Sequence, residues 1–226
     1  FGKIRNTRLE NISGGAGSAA LELNEASAFV SNLDLTVAPG SFVAGISVRA
    51  SGKETRTARI IRSRITSHSA EAIRVSGSAA EAFVYASILK QTAEAAAVTA
   101  RDGGEVHFWA GPEGPYIGVN RLEGGGLQAV SDGLIVAGFD PEDRGLNQFC
   151  DAKAAELTSV NGGQVIANGN FWPEGMPPSG SRASSLGPAD CDTTTPGQAA
   201  EKYGAERSVH HAYLTRLSPP FPSPTR

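Results

Sequence analysis

The chain has 226 residues and a formal net charge of −3, which gives no global reason to expect nucleic acid or an anionic membrane surface as a partner. No window approaches the roughly 18 consecutive apolar residues of a membrane-spanning helix, so no membrane insertion is expected. Twenty-seven glycines and many alanines, against nine Phe, four Tyr and two Trp, suit closely stacked layers better than a core built on large rings. The chain opens on Phe1 rather than Met and reads as a processed product or a fragment, without its export signal.

Internal repetition organises the first hundred residues. A polar residue, a spacer and an aliphatic residue recur as Thr7-x-Leu9, Ser31-x-Leu33, Ser63-x-Ile65 and Ser87-x-Leu89, at intervals of 24, 32 and 24. The long interval contains APGSF and ASGKETR, which read as loop insertions. A second ladder, Leu21, Ile46, Ile73 and Val98, has intervals of 25, 27 and 25. Two interleaved ladders sharing one period predict two strands per unit, joined by turn-forming residues.

Residues 78–100, SAAEAFVYASILKQTAEAAAVTA, admit a second reading. Ser78 with Glu81 three positions later forms a capping box, and the alanines favour helix. Yet Ala70-Glu71-Ala72 recurs as Ala93-Glu94-Ala95, which maps Ile73 and Val75 onto Ala96 and Val98. The copy at 70–77 ends in Ser-Gly and is too short for a helix, so two strands are expected here. Tertiary context overrides a helix propensity of this size.

Past residue 104 the units loosen but continue through EVHFWAG, an insertion at 111–126, LQAVSDG, LIVAGFD, AAELTSVNGG and QVIANGNFW. From residue 173 the pattern stops. The following segment is loop-like, AAEKYGAE suggests a short helix within 198–216, and LSPPFPSPTR has no means of packing itself. A period near 25 with short strands is the signature of a parallel β-helix, in which each coil lies on the previous one and equivalent side chains stack in columns. A Ser or Thr column is tolerated inside if its hydroxyls bond along the stack. A β-sandwich needs no fixed interval, and an α/β repeat fits less well. Coil ends need caps. Aromatic and proline-rich residues after 170 supply one at the C-terminal end, and none is evident at the N-terminal end.

The closing segment NQFCDAKAAELTSVNGGQVIANGNFWPEG…ADCD resembles the last turns of bacterial exported right-handed parallel β-helix proteins. Asn147-Gln148-Phe149 matches their N-x-F, and Gly169-Asn170-Phe171-Trp172 their G-N-x-W-like run. The resemblance spans residues 4–192 as a repeat and 140–192 by motif. It implies the pectin-lyase-like superfamily, which holds lyases, hydrolases, esterases, adhesins and modules of unknown role. The expected fold is therefore all-β: a right-handed parallel β-helix of about six coils over residues 1–192 with a loop-rich C-terminal cap, then a flexible tail over 193–226. Cys150 and Cys191 are 41 positions apart, unlike a zinc knuckle. In an exported protein they read as a disulfide, with two buried thiols as the alternative. The expected location is secreted or at the cell surface.

Pectate-lyase-type members of the superfamily hold calcium with acidic residues beside a basic one, and its hydrolases carry Asn-Thr-Asp, Asp-Asp, Gly-His-Gly and Arg-Ile-Lys. None of those four strings occurs here, and no carboxylate pair is recognised on adjacent coils with a base beside it. Asp132, Asp140, Glu142, Asp143 and Arg144 read first as a solvated turn. No cofactor is expected, calcium being the one they would hold. The arginines of RTARIIRSR (56–64) read as a solvated outer face, His68 as an exposed turn residue, and His210 and His211 as tail imidazoles that pick up metal adventitiously.

The insertion at 111–126 is the better candidate, since long loops on a stacked scaffold carry binding. Tyr116, Asn120 and Arg121 lie on it, with His107 and Trp109 on the strand before. Rings beside hydrogen-bonding groups suit a sugar, although Phe108 and Trp109 read first as filling the coil or capping a neighbouring loop. The expected function is a non-catalytic exported module with a structural, adhesive or glycan-recognition role. It would contact polysaccharide or cell-surface glycan through His107, Trp109, Tyr116, Asn120 and Arg121. The alternative is a lyase or hydrolase of acidic polysaccharide, with Arg121 as a lyase base.

Overall fold

The computed structural model describes residues 2–68, 70–108, 120–139, 145–179, 181–189 and 191. Their regular structure is all β-strand, wound as a parallel β-helix. The first coil holds β1 (Gly2–Ile12) and β2 (Ala19–Asn24), and the second β3 (Ala28–Val37) and β4 (Ala44–Arg49). From the third coil the long strand divides, giving β5 (Arg56–Ile61), β6 (Arg64–Ser67) and β7 (Ile73–Ser76). The fourth coil holds β8 (Ala80–Tyr85), β9 (Ile88–Gln91) and β10 (Val98–Arg101). The fifth holds β11 (Glu105–His107), β12 (Arg121–Glu123) and β13 (Leu127–Val130). The sixth holds β14 (Leu134–Val136), β15 (Gln148–Phe149) and β16 (Leu157–Val160), and β17 (Gln164–Trp172) and β18 (Arg182–Pro188) close the stack.

Residues 80–101 thus form three strands, not a helix and not two strands. Their alternating burial against the coils on either side overrides the alanine content. The chain makes three faces. β2, β4, β7, β10, β13 and β16 form a six-stranded sheet, one strand per coil, and the other twelve form a sheet that turns a corner along β1, β3 and β17. Neighbouring coils pair in parallel throughout the assigned ladders.

The apolar ladder stands as expected: Leu21, Ile46, Ile73 and Val98 are in register, and Leu127 and Leu157 extend it. Val75 lies over Ala100, so the repeat shifts by 25 residues and the 23-residue match of the Ala-Glu-Ala strings is not structural. The other ladder is right at Ile65 and Leu89 but slips by two in the second coil, where Leu35 and not Leu33 stacks on Leu9 and Ile65. That column continues through Leu122 and Phe149 to Trp172, all essentially buried. Each such aliphatic residue withdrawn from water contributes roughly 1.5–3 kcal/mol.

The polar column beside it bends the coil. Asn6, Asn32, Arg62, Ala86 and Leu146 have φ of 50°, 51°, 49°, 46° and 55°, left-handed conformations that are costly for Arg, Ala and Leu. At this bend a backbone N–H turns away from the carbonyl ladder, and the next coil's side chain accepts it instead. Ser63 Oγ accepts from Leu33 N at 3.2 Å, Ser87 Oγ from Ser63 N at 3.1 Å, and Asn120 Oδ1 from Ser87 N at 3.0 Å. Asn147 Oδ1 then accepts from Asn120 N at 3.1 Å, and Asn170 Oδ1 from Asn147 N at 2.9 Å. Ser31 is not in this column; Leu33 occupies its place. Gly77, the glycine that ends the repeat copy at 70–77, has φ +98° and an added Cβ would meet the Ala50 carbonyl oxygen at 2.2 Å.

At the C-terminal end Trp172 stacks on Phe149 at 4.3 Å and 9°, and its indole N–H donates to the Ser184 carbonyl at 3.2 Å. β18 pairs with β17 inside a segment expected to be loop. Its composition lacks a β-branched run, so β17 dictates the strand. A disulfide joins Cys150 to Cys191 with Cα atoms 5.6 Å apart, tying the sixth coil to residues beyond β18. The expected tail helix lies outside the described residues.

Candidate functional site

Strands expose alternate residues. In β8, Ala82 and Val84 point inward and are fully buried, so Glu81, Phe83 and Tyr85 face out. In β11, Val106 points inward, so Glu105 and His107 face out. The parallel register sets Glu81 beside Glu105 and Phe83 beside His107, with Thr57 and Arg59 one coil earlier.

These outward groups touch. Phe83 stacks on His107 at 4.9 Å and 18°, and on Tyr85 at 6.2 Å. His107 Nε2 lies 3.2 Å from Glu105 Oε2 and 3.4 Å from Glu81 Oε1. The Thr57 hydroxyl donates to Glu81 Oε2 at 3.2 Å. The imidazole is 13% exposed, against 23% for Glu81 and 46% for Glu105, so the cluster is recessed on one side and open on the other. Tyr85 packs with Ile61, Phe29 and Phe83. Burial pushes its phenol up to about 12, the charge of Arg59 opposing and that of Glu81 reinforcing. The ring therefore keeps its O–H proton at neutral pH.

Sequence reasoning named His107 in this cluster but missed Glu81, Phe83, Tyr85 and Glu105. The expectation that no two carboxylates meet on adjacent coils beside a base is corrected: Glu81 and Glu105 do, with His107 between them. The signal was present, since Glu81 to Glu105 and Phe83 to His107 are both 24 positions, the interval of Ser63 to Ser87.

The other expected site residues separate. Asn120 is fully buried, and its amide donates to Val84 O and Asn147 Oδ1, both at 2.9 Å. It belongs to the corner column, because that bend needs an acceptor. Arg121 lies on β12, on the next face of the coil, with Nε 2.7 Å from Glu123 Oε1; Glu123 also takes Lys90 at 3.1 Å. Trp109 and Tyr116 lie outside the described residues, as do Asp140, Glu142, Asp143 and Arg144. Phe108, the ring beside Trp109, fills the coil. Arg59, Arg62 and Arg64 are exposed, as read from their alternation.

No family model matches this chain, and neither a curated protein nor a solved structure matches it. The β-helix accordingly rests on its own strand register.

Proposed function

We propose that this protein is a non-catalytic, exported β-helical module of the pectin-lyase-like kind that recognises carbohydrate on the face carrying Glu81, Phe83, Glu105 and His107. One observation carries the reading: aromatic rings and carboxylates sit side by side on rigid strands. Aromatic surface packs against the C–H side of a sugar, while carboxylates accept hydrogen bonds from its hydroxyls. Two carboxylates facing one imidazole favour neutral glycans over uronates, which they would repel. The Cys150–Cys191 bond fits an oxidising compartment, which supports export.

A glycan array, run in the presence of a chelator, tests this. Binding to a neutral glycan should weaken at least tenfold, about 1.4 kcal/mol, in Phe83→Ala and in the Glu81→Gln, Glu105→Gln double variant. Trp109→Ala and Tyr116→Ala test whether the neighbouring insertion takes part. Absence of any ligand would remove the reading. Steady release of unsaturated or reducing ends from a polyuronate, abolished in Glu81→Gln, would replace it with the polysaccharide lyase or hydrolase.

A further inference from the structure

Glu81, Glu105 and His107 present one ligand atom each within 4.8 Å of one another. The two carboxylates are held in register on adjacent parallel strands, where like charges are unfavourable. Among the described residues neither pairs with a lysine or an arginine, and both approach the same atom, His107 Nε2. One imidazole N–H can point at only one acceptor, so Nε2 cannot bond to both carboxylates at once. Three further observations suit a cation there instead. A tetrahedral centre with metal–ligand bonds of 2.0–2.2 Å has ligand–ligand edges of about 3.3–3.6 Å, and the two imidazole–carboxylate separations are 3.2 and 3.4 Å. The Thr57 hydroxyl fixes the far oxygen of Glu81, the kind of outer contact that orients a metal ligand. The Phe83 ring at 4.9 Å holds the imidazole plane.

We propose that Glu81, Glu105 and His107 form a binding site for a divalent first-row transition metal of the zinc type, with a fourth position open to solvent. A nitrogen ligand, and three protein donors among the described residues, disfavour calcium, which takes six to eight oxygens, and magnesium, which demands an oxygen octahedron. The site opens on the proposed glycan face, but metal binding stands whether or not a sugar binds.

The test uses chelator-stripped full chain carrying His210→Ala and His211→Ala, which removes the adjacent tail imidazoles. Titration calorimetry with zinc alone should give one ion per chain, and calcium at the same concentration should give no heat. Glu105→Gln, a near-isosteric change at a half-exposed position, should weaken zinc at least tenfold with unchanged circular dichroism. Thr57→Ala should weaken it by about ten- to a hundredfold. In nitrogen-correlated NMR, zinc should shift His107 Nε2 and leave His68 unmoved. No zinc bound in this background, equal affinity in Glu105→Gln, or a shift confined to His68 would overturn the site. The glycan array in chelator is read separately, so failure of one leaves the other standing.

Discussion

Replacing Asn147 by alanine removes the middle of the buried amide column and tests why the coil can bend at all. Asn147 is fully buried. Its Oδ1 accepts from Asn120 N at 3.1 Å and from Asn120 Nδ2 at 2.9 Å, and its Nδ2 donates to Asn170 Oδ1 at 2.9 Å. In Asn147→Ala the Asn120 amide keeps Val84 O, and Asn170 Oδ1 keeps the Asn147 N–H. The Asn120 backbone N–H is left without an acceptor, which costs about 1–3 kcal/mol, and the lost side-chain bonds add about 0.5–1.5 kcal/mol. The sum is near 3 kcal/mol, and at about 2–4 °C per kcal/mol for a chain of this size the melting temperature should fall by about 6–12 °C. Asn147→Ser should recover about half of this, because Ser63 and Ser87 perform the same acceptance three and two coils earlier. Urea unfolding followed by circular dichroism measures both. A loss below about 0.5 kcal/mol in Asn147→Ala, or serine no better than alanine, would refute the claim that the side-chain acceptor holds the corner.

Glu71 and Arg74 form a nearly buried pair at 2.5 Å. Burial would raise the Glu71 carboxyl, but the Arg74 hydrogen bond, a backbone hydrogen bond and the charges of Arg74 and Arg101 hold it below its ordinary 4.5. The unfolded chain therefore takes up this proton first as pH falls. The pair's contribution is present above the ordinary value and is lost as pH drops through the folded value. Glu71→Gln should flatten the acid limb of stability against pH, and an unchanged limb in urea midpoints from pH 6 to 3 would contradict it. Opening the Cys150–Cys191 bond, by reductant or by Cys150→Ser with Cys191→Ser, frees a 41-residue separation and should cost up to about 4 kcal/mol. Two titratable thiols in the unreduced protein would disprove the link.

The coil was legible because parallel stacking puts one residue of each turn over its equivalent in the next, so the apolar ladder had to recur near 25 positions. Register was less legible where loops intervene. The slip from Leu35 to Leu33 arises between the first two coils, where Leu9 stacks on Leu35 after 26 positions rather than 24, and nothing local marks Ala86 or Arg62 as left-handed. Asn120 was misread for the same reason: the insertion stretches its interval from Ser87 to 33 positions, so a column residue looked like a loop residue. Glu81 was hidden by its place in a helix-capping pattern.

Hydrophobic spacing alone determined that this chain is an all-β coil with its cysteines near one end, since the burial of alike residues at a fixed interval is a property of the string. Which polar groups meet was decided only by the tertiary structure. Whether a side chain points into the coil or out of it depends on parity within its strand, and whether two carboxylates share an imidazole depends on register between coils. Single-residue shifts in loops reverse the first and displace the second.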